Sequence, residues 1–161
     1  MKKPFKARAK IVRASFLTGM PLALVLAWPL PSFARTTMAS GIDSGKTPQG
    51  AKFMSGGVGR EERQQMLKMA PGYDLDLSFA NRRGNYLSDV NVTISDEHGK
   101  EVLSTVTAGP WLYVALPAGK YDVRASYGNR TEEIKNVEVS KGHMMTRLLH
   151  WDTADQQVSQ R

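Results

Sequence analysis

The chain is predicted to be mainly β: a seven-stranded antiparallel β-sandwich preceded by one helix. Three observations carry this. From Tyr73 onward nonpolar residues recur with a period of two, the pattern of a half-buried strand. Turn signals interrupt the pattern at close, regular spacing, as in sandwiches. Before Tyr73 a single stretch has helical character.

The helix is expected over Gly59–Ala70. Glu61 and Glu62 lie in its first turn and Lys68 in its last, which suits the helix dipole. Met66, Leu67, Met69 and Ala70 supply an apolar patch, and Pro71-Gly72 ends the element. A lone helix of this length is marginal without packing. It is therefore expected to cover an open end or face of the β domain. The other reading is a methionine-rich surface that grips a partner.

The first strand of the run is expected from Tyr73, with Leu75, Leu77 and Phe79 on one face and Asp74, Asp76 and Ser78 on the other. After the turn Asn81–Asn85, the second has Val90, Val92 and Ile94 inward. Asp96–Lys100 makes a hairpin turn with Gly99 available for positive φ. Glu101–Thr107 is the third strand, and Gly109-Pro110 breaks it. Trp111–Leu116 is the fourth, apolar on both faces, and Pro117-Ala118-Gly119 turns the chain. Lys120–Tyr127 is the fifth, alternating Tyr121, Val123 and Ala125 with Asp122, Arg124 and Ser126. Arg130–Ser140 is the sixth, where Ile134, Val137 and Val139 slip by one, which predicts a bulge near Asn136. His143–Trp151 is the seventh. Alternation implies one solvated face per sheet, hence antiparallel pairing in the main.

The N-terminus has the layout of a secretory signal. Lys2, Lys3, Lys6, Arg8, Lys10 and Arg13 come first, then an apolar run from Ala14 to Leu30, then Ser32-Phe33-Ala34. The run falls short of the roughly 20 apolar residues that span a bilayer, and Pro21 and Pro29 interrupt it. Residues 1–34 are read as a signal peptide cut after Ala34, which places the mature chain in the periplasm with no membrane span. Residues 35–57, rich in Gly, Ser and Thr, are read as a flexible linker. Residues 58–152 form the helix and sandwich, and residues 153–161 a disordered tail.

Removing the signal changes the charge argument. The whole chain is +7, but six of its 22 basic residues precede Ala14, leaving 16 against 15 acidic residues. The basic character belongs to the signal and is no nucleic-acid footprint. With no cysteine in the chain, disulfides cannot hold the domain, so apolar burial must.

Tyr86–Ser140 resembles the carboxypeptidase regulatory-like, or transthyretin-like, β-sandwich modules. The likeness rests on Val90-Asn91-Val92-Thr93-Ile94 with Asp96-Glu97-His98-Gly99, and on Leu116-Pro117-Ala118-Gly119-Lys120-Tyr121-Asp122-Val123-Arg124-Ala125. Ser55–Arg63, Tyr86–Val90 and Gly109–Leu112 are also similar to a group of exported proteobacterial proteins with this module. The resemblance implies an accessory, non-enzymatic role rather than a chemistry. The family's threonine-aspartate-glycine turn is here Thr107-Ala108-Gly109-Pro110, so no cation site is implied there. The transthyretin-like enzyme acting on hydroxyisourate ends in Tyr-Arg-Gly-Ser, and this chain ends in Val158-Ser159-Gln160-Arg161.

The residues offer no obvious chemistry. His143 and His150 lie about 23 Å apart at strand rise, and His98 sits in a polar turn, so no metal site is expected. Asp74 and Asp76 share a strand face without a partner acid or base. There is no Gly-x-Ser-x-Gly elbow. No catalytic residue and no cofactor are expected. The candidate ligand-binding residues are Trp111, Tyr113 and Trp151, whose flat faces would suit a sugar ring. The reading is a binding or structural module that contacts a protein or an envelope component. A carbohydrate-binding module is the alternative, and a small hydrolase comes last.

Overall fold

The computed structural model describes residues 35–37 and 41–152, with side chains from 41 to 152. The proposed signal peptide and the C-terminal tail at 153–161 lie outside the described residues. Arg35–Thr37 (β1), Asp43–Lys46 (β2) and Lys52–Gly56 (β3) precede the helix Arg60–Met69 (α1). Leu75–Asn81 (β4), Asn91–Asp96 (β5), Glu101–Val106 (β6) and Trp111–Ala115 (β7) follow. Gly119–Tyr127 (β8), Arg130–Val139 (β9) and Met145–Trp151 (β10) complete the described elements.

The protein is mainly β, in two sheets rich in antiparallel pairs. The larger runs β1-β2-β3-β7-β4-β10 and the smaller β6-β5-β8-β9. Leu75, Leu77 and Phe79 of β4, Leu112 and Val114 of β7, and Trp151 of β10 share one core with Val92 and Ile94 of β5 and Val123 of β8. Each of these side chains is essentially removed from water, worth about 1.5–3 kcal/mol apiece.

All seven strands expected after Tyr73 are present, and two features depart from the expected seven-stranded, mainly antiparallel sandwich. The described residues of the stretch 35–57 are not a linker. They contribute β1, β2 and β3 to the larger sheet. Their glycines and serines hid the pattern: Ala51 and Phe53 face the main core, while Ile42 and Met54 face the other side of the same sheet. The second departure is β10, which runs parallel to β4, pairing Met145 with Leu75 and Trp151 with Asn81. The chain reaches β10 by crossing from the smaller sheet, so hairpin reasoning does not apply to it.

β7 is apolar on both faces because both are covered. Leu112 and Val114 enter the main core, whereas Trp111 and Tyr113 meet the helix. Met66 of α1 packs with Ile42, Met54 and Tyr113 on the outer side of the larger sheet. The helix therefore covers a face of the domain. Its entry is clamped by its own first turn. Glu62 Oε2 accepts from Gly57 N–H at 3.1 Å and Val58 N–H at 3.0 Å, and Arg63 Nη1 donates to Gly57 O at 2.8 Å. These groups would otherwise be left open at the helix start.

The bulge expected near Asn136 is present. Asn136 has φ 55°, and the β8–β9 register shifts between Tyr121 and Val123. Asn136 N–H donates to Asp122 Oδ1 at 2.9 Å, which anchors the irregularity. At the β6–β7 connection Gly109 lies against the backbone of Gly56, where any Cβ would collide with the Gly56 carbonyl. Ala108 N–H beside it donates to buried Ser55 Oγ at 3.0 Å, so this connection is held directly to β3.

Candidate functional site

The three aromatic candidates are not brought together as a ligand platform. Trp151 is 0% exposed, tilted against Phe79 at 6.1 Å between ring centroids, with its Nε1–H directed to Arg130 O at 3.3 Å. It is a core residue that ties β10 to the start of β9. Tyr113 is 2% exposed and lies under α1. Trp111 alone is partly open; it stacks on Tyr113 at 6.2 Å with 14° between planes and rests on Gly57. Trp111 and Tyr113, two apart in one strand, share a face, and the cover that α1 places over it has no local signal.

The histidines are exposed. His98 Nε2 lies 3.7 Å from Glu97 Oε1 in the β5–β6 turn, and His143 precedes β10 in a turn. Among the described residues no group of three or more His, Cys, Asp or Glu could hold a metal ion.

The two strand-face carboxylates have different surroundings. Asp74 Oδ2 accepts from Leu116 N–H at 3.2 Å, fixing the end of β7 to the start of β4. Asp76 lies one row further in, flanked by Tyr113 of β7 and Thr146 of β10. Burial pushes its pKa up to about 6, against hydrogen bonds from Thr146 and Ser78 that favour the charged form. Its Oδ1 is buried with no hydrogen-bond partner. Burial also pushes the Tyr113 hydroxyl up to about 12, with the Asp76 charge adding to the rise.

A recess lies at one end of the sandwich, where three connections converge. The α1–β4 loop supplies Pro71 and Tyr73, the β7–β8 loop Leu116 and Pro117, and the β9–β10 turn leads into Met144; Leu67 of α1 forms the rim. The recess encloses about 880 Å³ and is an open groove with mostly apolar walls. Its charged groups are Lys141 and Asp74. Leu67 is 58% and Met144 37% exposed, so apolar side chains stand in water beside an apolar trough. Such a surface suits the nonpolar part of a partner, with a few polar groups to orient it.

The sequence identified Pro71-Gly72 and Pro117-Ala118-Gly119 as separate turns. Their convergence depends on the β9–β10 crossover into the larger sheet, which carries no local signal.

No model of a known family matches the chain, and no curated protein matches it.

Proposed function

We propose that this chain is a non-enzymatic module of the periplasm that binds another exported protein, and that the groove beside Leu67 and Met144 receives a nonpolar segment of it. The observation that carries the reading is the groove itself: exposed apolar rims over apolar walls, built from three connections held by the sandwich. Asp74, its carboxylate, is already engaged by Leu116 N–H, a structural use. Lys141 at the turn is available to steer an acidic flank of the partner.

Export is supported by the basic start, the short apolar run and the Ser32-Phe33-Ala34 site. Among the described residues no helix is long and apolar enough to cross a membrane. A transthyretin-like arrangement is our finer reading of the two sheets, supported by the Leu116–Ala125 motif at the β7–β8 connection. The carbohydrate reading keeps only Trp111, since Tyr113 and Trp151 offer no face to solvent.

Two measurements test the proposal. N-terminal sequencing of the protein recovered from a periplasmic fraction should begin at Arg35; a product retaining Met1 defeats the export half. A photo-crosslinking residue at Leu67 or Met144 should capture a discrete protein in the periplasm, and one at Asn129, on the β8–β9 turn, should not. Equal capture from all three positions, or none, removes the groove as the binding surface.

A further inference from the structure

The β7–β8 connection, Leu116-Pro117-Ala118, passes from the larger sheet to the smaller and divides this end of the sandwich. On one side lies the groove, with Lys141 and Met144. On the other lies a smaller cleft of about 260 Å³, walled by Ala51, Asp96, Val102 and Tyr121. Leu116 and Pro117 line both. The strand order β6-β5-β8-β9 sets Asp96, at the end of β5, and Lys141, just past β9, on opposite sides of β8.

Asp96 faces inward. The alternation that turns Val92 and Ile94 to the core reaches Asp96 one step later, and Asp96 stands opposite the core residue Tyr121. A half-buried carboxylate therefore occupies the inner face at the mouth of the sandwich. Its Oδ1 accepts from His98 N–H at 3.0 Å and from Lys100 N–H at 2.9 Å. Those bonds fix the group and leave Oδ2 without a hydrogen bond among the described residues. No cation among the described residues pairs with it; Lys46, which passes beside Gly50 of the cleft wall, makes no ion pair with Asp96. The Tyr121 phenol, which donates to Pro117 O at 2.9 Å, feels the uncompensated charge. Burial raises its pKa, and Asp96 and then Asp74 add to the rise.

We infer that the segment received by the groove is both nonpolar and basic: an apolar side chain fills the groove, the chain crosses Leu116-Pro117, and a lysine or arginine enters the cleft to meet Asp96 Oδ2. Charge complementarity carries this. A fixed carboxylate behind apolar walls accepts the stem of a long basic side chain together with its charged head. It disfavours a nonpolar or acidic side chain in the same place, since either leaves Asp96 desolvated without a partner. Lys141, on the groove side, sets an acidic residue at the other end of the segment. The partner is read as acidic, nonpolar, basic from β9 towards β5, and this asymmetry fixes which way round it lies. The inference rests on the groove as the docking surface and adds the cleft to it.

Backbone amide shifts of the purified chain, titrated with short blocked peptides, test the inference. The probes are glutamate-leucine-serine-leucine-lysine, its reverse, and both with glutamine in place of lysine. One of the two lysine peptides should move Met145, at the groove, together with His98 and Lys100, whose N–H groups hold Asp96. Glutamine for lysine should weaken that peptide about fivefold, the worth of a partly screened ion pair, and salt at about 0.5 M should remove the difference. Asp96→Asn keeps an oxygen for both N–H groups, so the turn stays, and should bind the lysine and glutamine peptides equally. Equal binding of the two by the unmodified chain overturns the inference, as does a lysine preference that Asp96→Asn leaves intact. So does a titration in which Met145 shifts while His98 and Lys100 do not, or in which nothing shifts. The groove reading is decided separately, by the capture from Leu67 and Met144.

Discussion

Asp76 stands directly opposite Tyr113 across the β4–β7 pair, a carboxylate and a phenol enclosed beneath the same helix-covered sheet face. Neither is a favourable place for a negative charge, and burial raises the pKa of both. The folded pKa of Asp76, about 6, exceeds its ordinary value of 3.8. The folded state therefore holds this proton more tightly than the unfolded chain does. Stability from this group is greatest below pH 3.8 and is lost as pH rises through about 6.

Asp76→Asn removes that dependence. Thermal melts should show the variant more stable than the parent at pH 8, by about 2–5 °C once screening at a partly open site is allowed for. The gain should vanish near pH 4. An equal shift at both pH values would mean that the ionised carboxylate is not the source.

Residues 41–56 are part of the folded domain, so a chain that begins at Gly57 should not fold. It would lose β2 and β3 and expose the side of β7 that carries Tyr113 and Val114 pairing groups, leaving Met66 without Ile42 and Met54. Circular dichroism and limited proteolysis would show this directly. A cooperative melt unchanged by the truncation would restore the linker reading.

Trp151→Ala should act on stability, whereas Trp111→Ala should act mildly. Emptying the Trp151 site costs about 3–5 kcal/mol in a close-packed core and also removes the bond to Arg130 O. Trp111 is partly open and stacked on one neighbour, so its loss should cost about 1–2 kcal/mol. Urea denaturation of both variants distinguishes the roles; equal costs would place Trp111 in the same structural class.

Gly109→Ala should destabilise by about 1–3 kcal/mol, the usual penalty for forcing an atom into occupied space. The added Cβ meets the backbone of Gly56, which sits in β3 and cannot swing aside as a side chain would. Gly59→Ala, where the new Cβ has only Glu61 Oε2 at 3.8 Å, is the matched control and should cost under about 1 kcal/mol.

Much of this molecule was legible one segment at a time. Alternation along Leu75–Phe79 and Tyr121–Tyr127, the glycine of the Asp96–Lys100 turn, the slip at Asn136 and the dipole-matched ends of α1 are local signals, because they depend on the side-chain period and backbone freedom of neighbouring residues. The placement of Trp111 and Tyr113 on one strand face was local in the same way. Tertiary structure decided which faces are covered. It buried Trp151 and Tyr113, drew Ile42 and Met54 out of a segment with no regular period, and set β10 parallel to β4. It also brought Pro71, Pro117 and Met144 to one groove. Those outcomes depend on which distant strands come to lie side by side, and the backbone groups that decide it are the same in every residue, so composition and spacing along the chain do not record them.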